Sequence, residues 1–187
     1  RTTNSDGFIS VLHEYGHAFH YVAIEPWASF SISPPNHSWG EIEHISGAFV
    51  EGFSDFFAAI IGEAFTVAAT IGDDYNVETN VYSNILPDSV SGWRVEGAVA
   101  GFLYDLADGT TSPNGSDNSS DGIDDDSASY SLVTIANIIA SCSTNQGARI
   151  DGLDQFIYCA EQSLAPQSLQ HPSYFKYFFK LRRDSVV

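Results

Sequence analysis

The residues best equipped for chemistry lie near the start of the chain, in His13-Glu14-Tyr15-Gly16-His17. His-Glu-x-x-His is the spacing that sets two imidazoles on one face of a helix around a zinc ion. Four residues are about one helical turn, roughly 6 Å of rise, so His13 and His17 can both reach one tetrahedral metal. Glu14 sits about 100° round the helix from His13. From that flank it could hold and deprotonate a metal-activated water. The five-residue pattern also arises by chance, and the plain alternative is a core helix with two ordinary histidines.

The surroundings argue for a helix over 6–24. Ser5-Asp6 offers an N-cap, Asp6 being the better placed, and Pro26 stops the helix. Phe8, Leu12, Tyr15, Phe19 and Val22 recur at three- and four-residue spacing and predict a core-facing stripe, with the histidines beside it. A second helix is predicted over 46–61, apolar nearly all round and therefore buried. Its ionisable residues are Glu51 and Asp55, four apart on one face. Burying two like charges opposes both desolvation and mutual repulsion. A divalent cation and a protonated imidazole edge would resolve that conflict.

Together, His-Glu-Tyr-Gly-His and the later run Gly47-Ala48-Phe49-Val50-Glu51-Gly52-Phe53-Ser54-Asp55-Phe56-Phe57-Ala58 resemble the gluzincin zinc metallopeptidases, the thermolysin- and fungalysin-like enzymes. The resemblance covers about residues 8–107 and leaves the last third unmatched. It implies that Glu51 is the third zinc ligand. It further implies that Asp55 accepts a hydrogen bond from the outer nitrogen of a zinc-bound imidazole, His13 by preference, the outer-partner role expected at such sites. Glu41, Glu43 and His44 stay open as rival third ligands. A metzincin would need Gly at 20 and His at 23, where this chain has His20 and Ala23; His20 reads as a cleft or packing residue.

The remaining elements must position this site. Residues 63–71 read as more helix, ending near Gly72, and 73–91 as a polar connection. A short strand is expected around 29–33, and residues 36–44 could line a cleft. A third helix is predicted over 94–106, where Gly97 and Gly101 permit close approach to a neighbour. In gluzincins a histidine near the start of that helix hydrogen-bonds the developing oxyanion; a gapless match puts Trp93 or Arg94 there. Arg94 could donate to an oxyanion, bind a substrate carboxylate, or pair with Glu96 or Asp105. Residues 108–129 form an acidic loop. Within it Asp117, Asp121 and Asp125 echo the start of a calcium loop, but Ala128 stands where a bidentate Glu belongs, and a solvated acidic loop is the bland alternative. Two more core helices are predicted over 129–142 and 152–164, and each carries one of the two cysteines, Cys142 and Cys159, which could form a disulfide outside the cell or stay two buried free thiols. The tail, 171–187, carries aromatic and basic residues without a clear role.

Composition bounds the function. In 187 residues there are 24 acidic and 7 basic side chains, a formal charge of −17, so no general attraction for nucleic acid or an anionic membrane exists. A run of about 18 uncharged apolar residues, the mark of a membrane span, is not found. The chain begins at Arg1 without Met and reads as a mature or trimmed segment. The expectation is one mainly α domain, residues 1–187, a zincin-like catalytic domain with little β-structure and its N-terminal sheet absent or short. It would be a secreted, zinc-dependent endopeptidase acting on peptides or proteins with one Zn2+ and Glu14 as general base; calcium would be a second ion. The alternatives are a catalytically silent, metal-stabilised extracellular binding module and a non-peptide amide hydrolase on the same site.

Overall fold

The computed structural model describes residues 5–24, 44–64, 70–71, 75–76, 94–107, 130–146 and 152–163. In chain order these form α1 (Ser5–Ile24), α2 (Ile45–Ala64), β1 (Thr70–Ile71), β2 (Tyr75–Asn76), α3 (Glu96–Asp105), α4 (Leu132–Gln146) and α5 (Leu153–Ser163). The described part is mainly α, as expected. Its β-structure is one antiparallel pair, with Thr70 opposite Asn76 and Ile71 opposite Tyr75.

α2 is the organising helix, packed against α1 and α3. Ala48, Phe49, Phe53, Phe56, Ala58 and Ala59 are all buried, which follows from a sequence with no polar face to give to water. The stretch Ile45–Gly62, of mean hydropathy 1.4, is long and apolar enough to cross a membrane. Most of it is instead buried by the other helices. α3 approaches so closely that a Cβ at Gly52 would lie 2.5 Å from the Glu96 carbonyl oxygen and 2.7 Å from Val99 Cβ. Phe156 of α5 joins the two, its ring centroid 6.1 Å from Phe49 and 6.5 Å from Phe102. α4 starts after Ser131, whose Oγ accepts the Thr134 N–H at 3.1 Å, an N-cap. Ile135, Ile138, Ile139 and Cys142 of α4 and Leu153, Phe156, Ile157 and Ala160 of α5 face the core. Cys142 and Cys159 are disulfide-bonded, with Cα atoms 5.7 Å apart. Closing a loop of this length stabilises a fold by roughly 3 kcal/mol.

α1 runs antiparallel to α2. Ile9 and Leu12 cluster with Ala58, while His20, further along α1, meets Phe49, near the start of α2. The buried face of α1 is not the expected one. Ile9, Leu12, Gly16 and His20 are buried, whereas Phe8, Tyr15, Phe19 and Val22 are exposed. Counting apolar residues favours the outer stripe. At the middle of the contact α2 offers Glu51, Ser54 and Asp55, and there the complementary face of α1 carries glycine and histidine.

Several boundaries differ from expectation, the wider span of α2 and the later end of α4 at Gln146 among them. α1 already includes Ser5, so Asp6 lies within the first turn rather than capping it. Residues 63–71 are not continuous helix: α2 ends at Ala64 and Thr70–Ile71 is strand, as β-branched residues next to Gly72-Asp73 favour. α3 begins at Glu96, with Arg94 and Val95 leading in. α4 begins at Leu132 rather than 129. The strand expected at 29–33, the cleft residues 36–43, the acidic loop 108–129 and the tail fall outside the described residues.

Candidate metal centre

The site is built where α1 crosses α2. A Cβ at Gly16 would lie 2.7 Å from Ser54 Cα and 3.0 Å from its carbonyl oxygen, so glycine there lets the backbones touch. That contact carries His13 and His17 onto the α2 face bearing Glu51, Ser54 and Asp55. His13 Nε2 is 3.3 Å and His17 Nε2 3.2 Å from the same oxygen, Glu51 Oε2. The two rings stand edge to face, with centroids 4.7 Å apart. One donor atom from each of His13, His17 and Glu51 lies within 4.8 Å of the others.

The outer edges of both rings are held. His13 Nδ1 donates to Asp55 Oδ1 at 2.6 Å. His17 Nδ1 lies 2.8 Å from Ser54 Oγ, and Ser54 Oγ donates to the Val50 carbonyl at 3.0 Å. Serine at this place was not singled out in the sequence. The available signal was spacing: Ser54 follows Glu51 by three residues and so shares its helix face.

Electrostatics favour a cation here. Burial opposes the charged form of His13. The hydrogen bonds to Asp55 and then Glu51, with their negative charges, outweigh it and raise the imidazole to about 10. Asp55 is almost fully buried, and its second oxygen, Oδ2, has no hydrogen-bond partner among the described residues. A proton on His13 is one answer to this excess negative charge. A dication among three donors is the stronger one, because it faces both imidazole nitrogens and the carboxylate together. By donor type and arrangement the residues therefore fit a zinc ion.

Glu14 is exposed on the flank of α1, on an outward strip with Ser10, Val11, Tyr15 and Ala18 that contains none of the three donors. Arg94 is exposed in the turn before α3, whose first residue, Glu96, abuts α2 at Gly52, next to Glu51. His20 packs between Phe49 and Phe53, with centroids 5.7 and 5.2 Å away. Burial, then the neighbouring His17, lowers it to about 3. His44 is exposed at the start of α2 with Nδ1 2.7 Å from Ser46 Oγ, apart from the His13–His17–Glu51 group. Glu41, Glu43, Asp117, Asp121 and Asp125 lie outside the described residues.

Fold and donor set define a helical domain with a three-donor cluster across two antiparallel helices. Residues 1–183 match the family described as Mycolysin C-terminal domain, and the chain belongs to that family. This is a domain of thermolysin-like peptidases. No curated protein and no solved structure matches the chain.

Proposed function

We propose that this domain is a zinc-dependent endopeptidase, with His13, His17 and Glu51 holding the ion and Glu14 as general base. The observation that carries the reading is the convergence of two Nε2 atoms on one Glu51 oxygen, at 3.2 and 3.3 Å, while a partner holds each outer nitrogen. Three protein donors suit a catalytic rather than a closed structural site, which takes four. Bound zinc would supply Lewis acidity toward water and the scissile carbonyl.

The chain's own residues do the rest. Glu14, one residue past His13, takes the proton as water attacks the peptide carbonyl and returns it to the departing amine nitrogen. Exposure of Glu14 on the surface of α1 leaves it open to substrate. Arg94, with its multidentate guanidinium, is the candidate donor to the oxyanion. Asp55 fixes the His13 ring with Nε2 facing the metal. The disulfide suits an oxidising exterior, so the domain is proposed to work outside the cell, on peptides or proteins. Calcium at Asp117, Asp121 and Asp125 stays a subordinate proposal.

Glu14→Gln tests the chemistry. Zinc content should stay at the wild-type level while chelator-sensitive hydrolysis of an unfolded protein substrate falls by a factor of about 100 to 10,000. Turnover equal to wild type removes Glu14 from the mechanism. A wild-type protein that takes up zinc and cleaves neither protein nor peptide would instead be the metal-stabilised binding module.

A further inference from the structure

We infer that Ser54 is a positioning residue for the metal centre, acting on His17 as Asp55 acts on His13. The inference rests on the zinc reading above and goes beyond it, because neither the His-Glu-x-x-His pattern nor the carboxylate pair contains Ser54.

A metal ligand must present a bare nitrogen, and the partner of its other nitrogen decides which one is bare. Ser54 is fully buried, so its hydroxyl is not shared with bulk water. It has one proton to give and lone pairs to accept with. The Val50 carbonyl, 3.0 Å away, can only accept, and takes that proton. Toward His17, 2.8 Å away, the oxygen is then left as an acceptor for Nδ1–H. The series runs from His17 Nδ1–H to Ser54 Oγ and from Ser54 O–H to the Val50 carbonyl. With zinc bound, that series would leave His17 Nε2, 3.2 Å from Glu51 Oε2, without a proton and able to face the metal.

The two histidines are thus held by unlike partners. His13 has a carboxylate, while His17 has a neutral hydroxyl that is itself tied to the backbone one turn earlier. The α1 backbone at Gly16 lies against Ser54, and a Cβ there would sit 3.1 Å from Ser54 Cβ, so small residues on both helices suit this crossing.

The test is Ser54→Ala in the full chain, which deletes the oxygen and adds no bulk. Zinc affinity, read by chelator competition, should fall 10- to 100-fold, with little change in the unfolding midpoint of the metal-free protein. A merely structural serine would give the reverse pattern, lower stability with unaltered affinity, and would overturn the inference. Should the variant fail to fold, nitrogen NMR of the imidazoles in the zinc-loaded wild type decides. His17 should carry its proton on Nδ1, exchanging slowly with water; zinc on Nδ1, or a freely exchanging proton there, refutes the role. Wild-type protein that takes up no zinc at His13, His17 and Glu51 would overturn the metal site itself. Tight wild-type binding with an unaffected Ser54→Ala would sink the serine alone.

Discussion

α2 meets its two neighbours by one device and with opposite content. On one side Gly52 admits the start of α3, on the other Gly16 admits α2 to α1. At the α3 crossing Gly52 meets Val99 and the Glu96 backbone, both residues buried. At the α1 crossing stand two histidines, Glu51, Ser54 and Asp55. A glycine at a helix crossing is therefore no sign of a site, since it only sets how close two backbones come. What separates the two crossings is the donor cluster, two imidazoles set against Glu51 and Asp55; Glu96 at the α3 crossing is also a buried carboxylate but belongs to no such group among the described residues. Buried charge is tolerated only where a partner or metal answers it.

Removing Glu51 should break the comparison most severely. Glu51→Ala leaves two imidazoles to hold the ion. Zinc affinity should drop by more than the roughly 100-fold upper range seen for outer partners. Because Glu51 is only partly buried, with its side chain 14% exposed, the metal-free fold should survive. Metal affinity at the wild-type level would show that the α1 crossing is a packing surface like the other, and would turn attention to Glu41, Glu43 or His44.

A matched pair of glycine substitutions sharpens the contrast at smaller amplitude. Gly52→Ala drives a methyl toward the Glu96 carbonyl and Val99, and Gly16→Ala drives one into the Ser54 backbone. Overpacking of this kind destabilises by about 1–3 kcal/mol, so both should unfold at lower denaturant. Only Gly16→Ala should also weaken zinc binding, because it moves the histidines relative to Glu51. Equal loss of zinc affinity in both variants would mean that the crossings are mechanically coupled and the division drawn here is false.

Much of this was legible beforehand, for identifiable reasons. His13 and His17 are related by helix geometry alone, and Glu51 and Asp55 betray themselves as the ionisable residues of an apolar helix. The inward face of α1 was not legible. Phe8, Tyr15, Phe19 and Val22 form the more apolar stripe, yet the helix buries the one carrying Gly16 and His20. Which face docks depends on what α2 offers, and that is a pairwise property no single helix encodes. Ser54 escaped notice for a similar reason, since a serine in a helix has no marked chemistry until a ring nitrogen lies beside it. β1 was hidden because a two-residue strand is too short to show a period.

His20 stands where the two kinds of packing meet, on the same helix face as the ligands but against Phe49 and Phe53. Burial, then the charge of His17, lowers it to about 3, whereas in the unfolded chain it titrates near 6.5. Above pH 6.5 it is neutral in both states and adds no pH dependence. As pH falls from there toward 3, the unfolded chain binds a proton that the folded one refuses, so stability is lost with acidification. The slope attributable to this one group is about 1.4 kcal/mol per pH unit. His20→Leu, similar in volume, removes the titration. Denaturant unfolding of the two proteins should therefore diverge below pH 6.5, the wild type weakening faster. Comparing them at each pH cancels the His13 and carboxylate contributions common to both. Parallel curves down to pH 4 would mean that water reaches the His20 ring, so the dry packing of α2 would stop short of this end of α1.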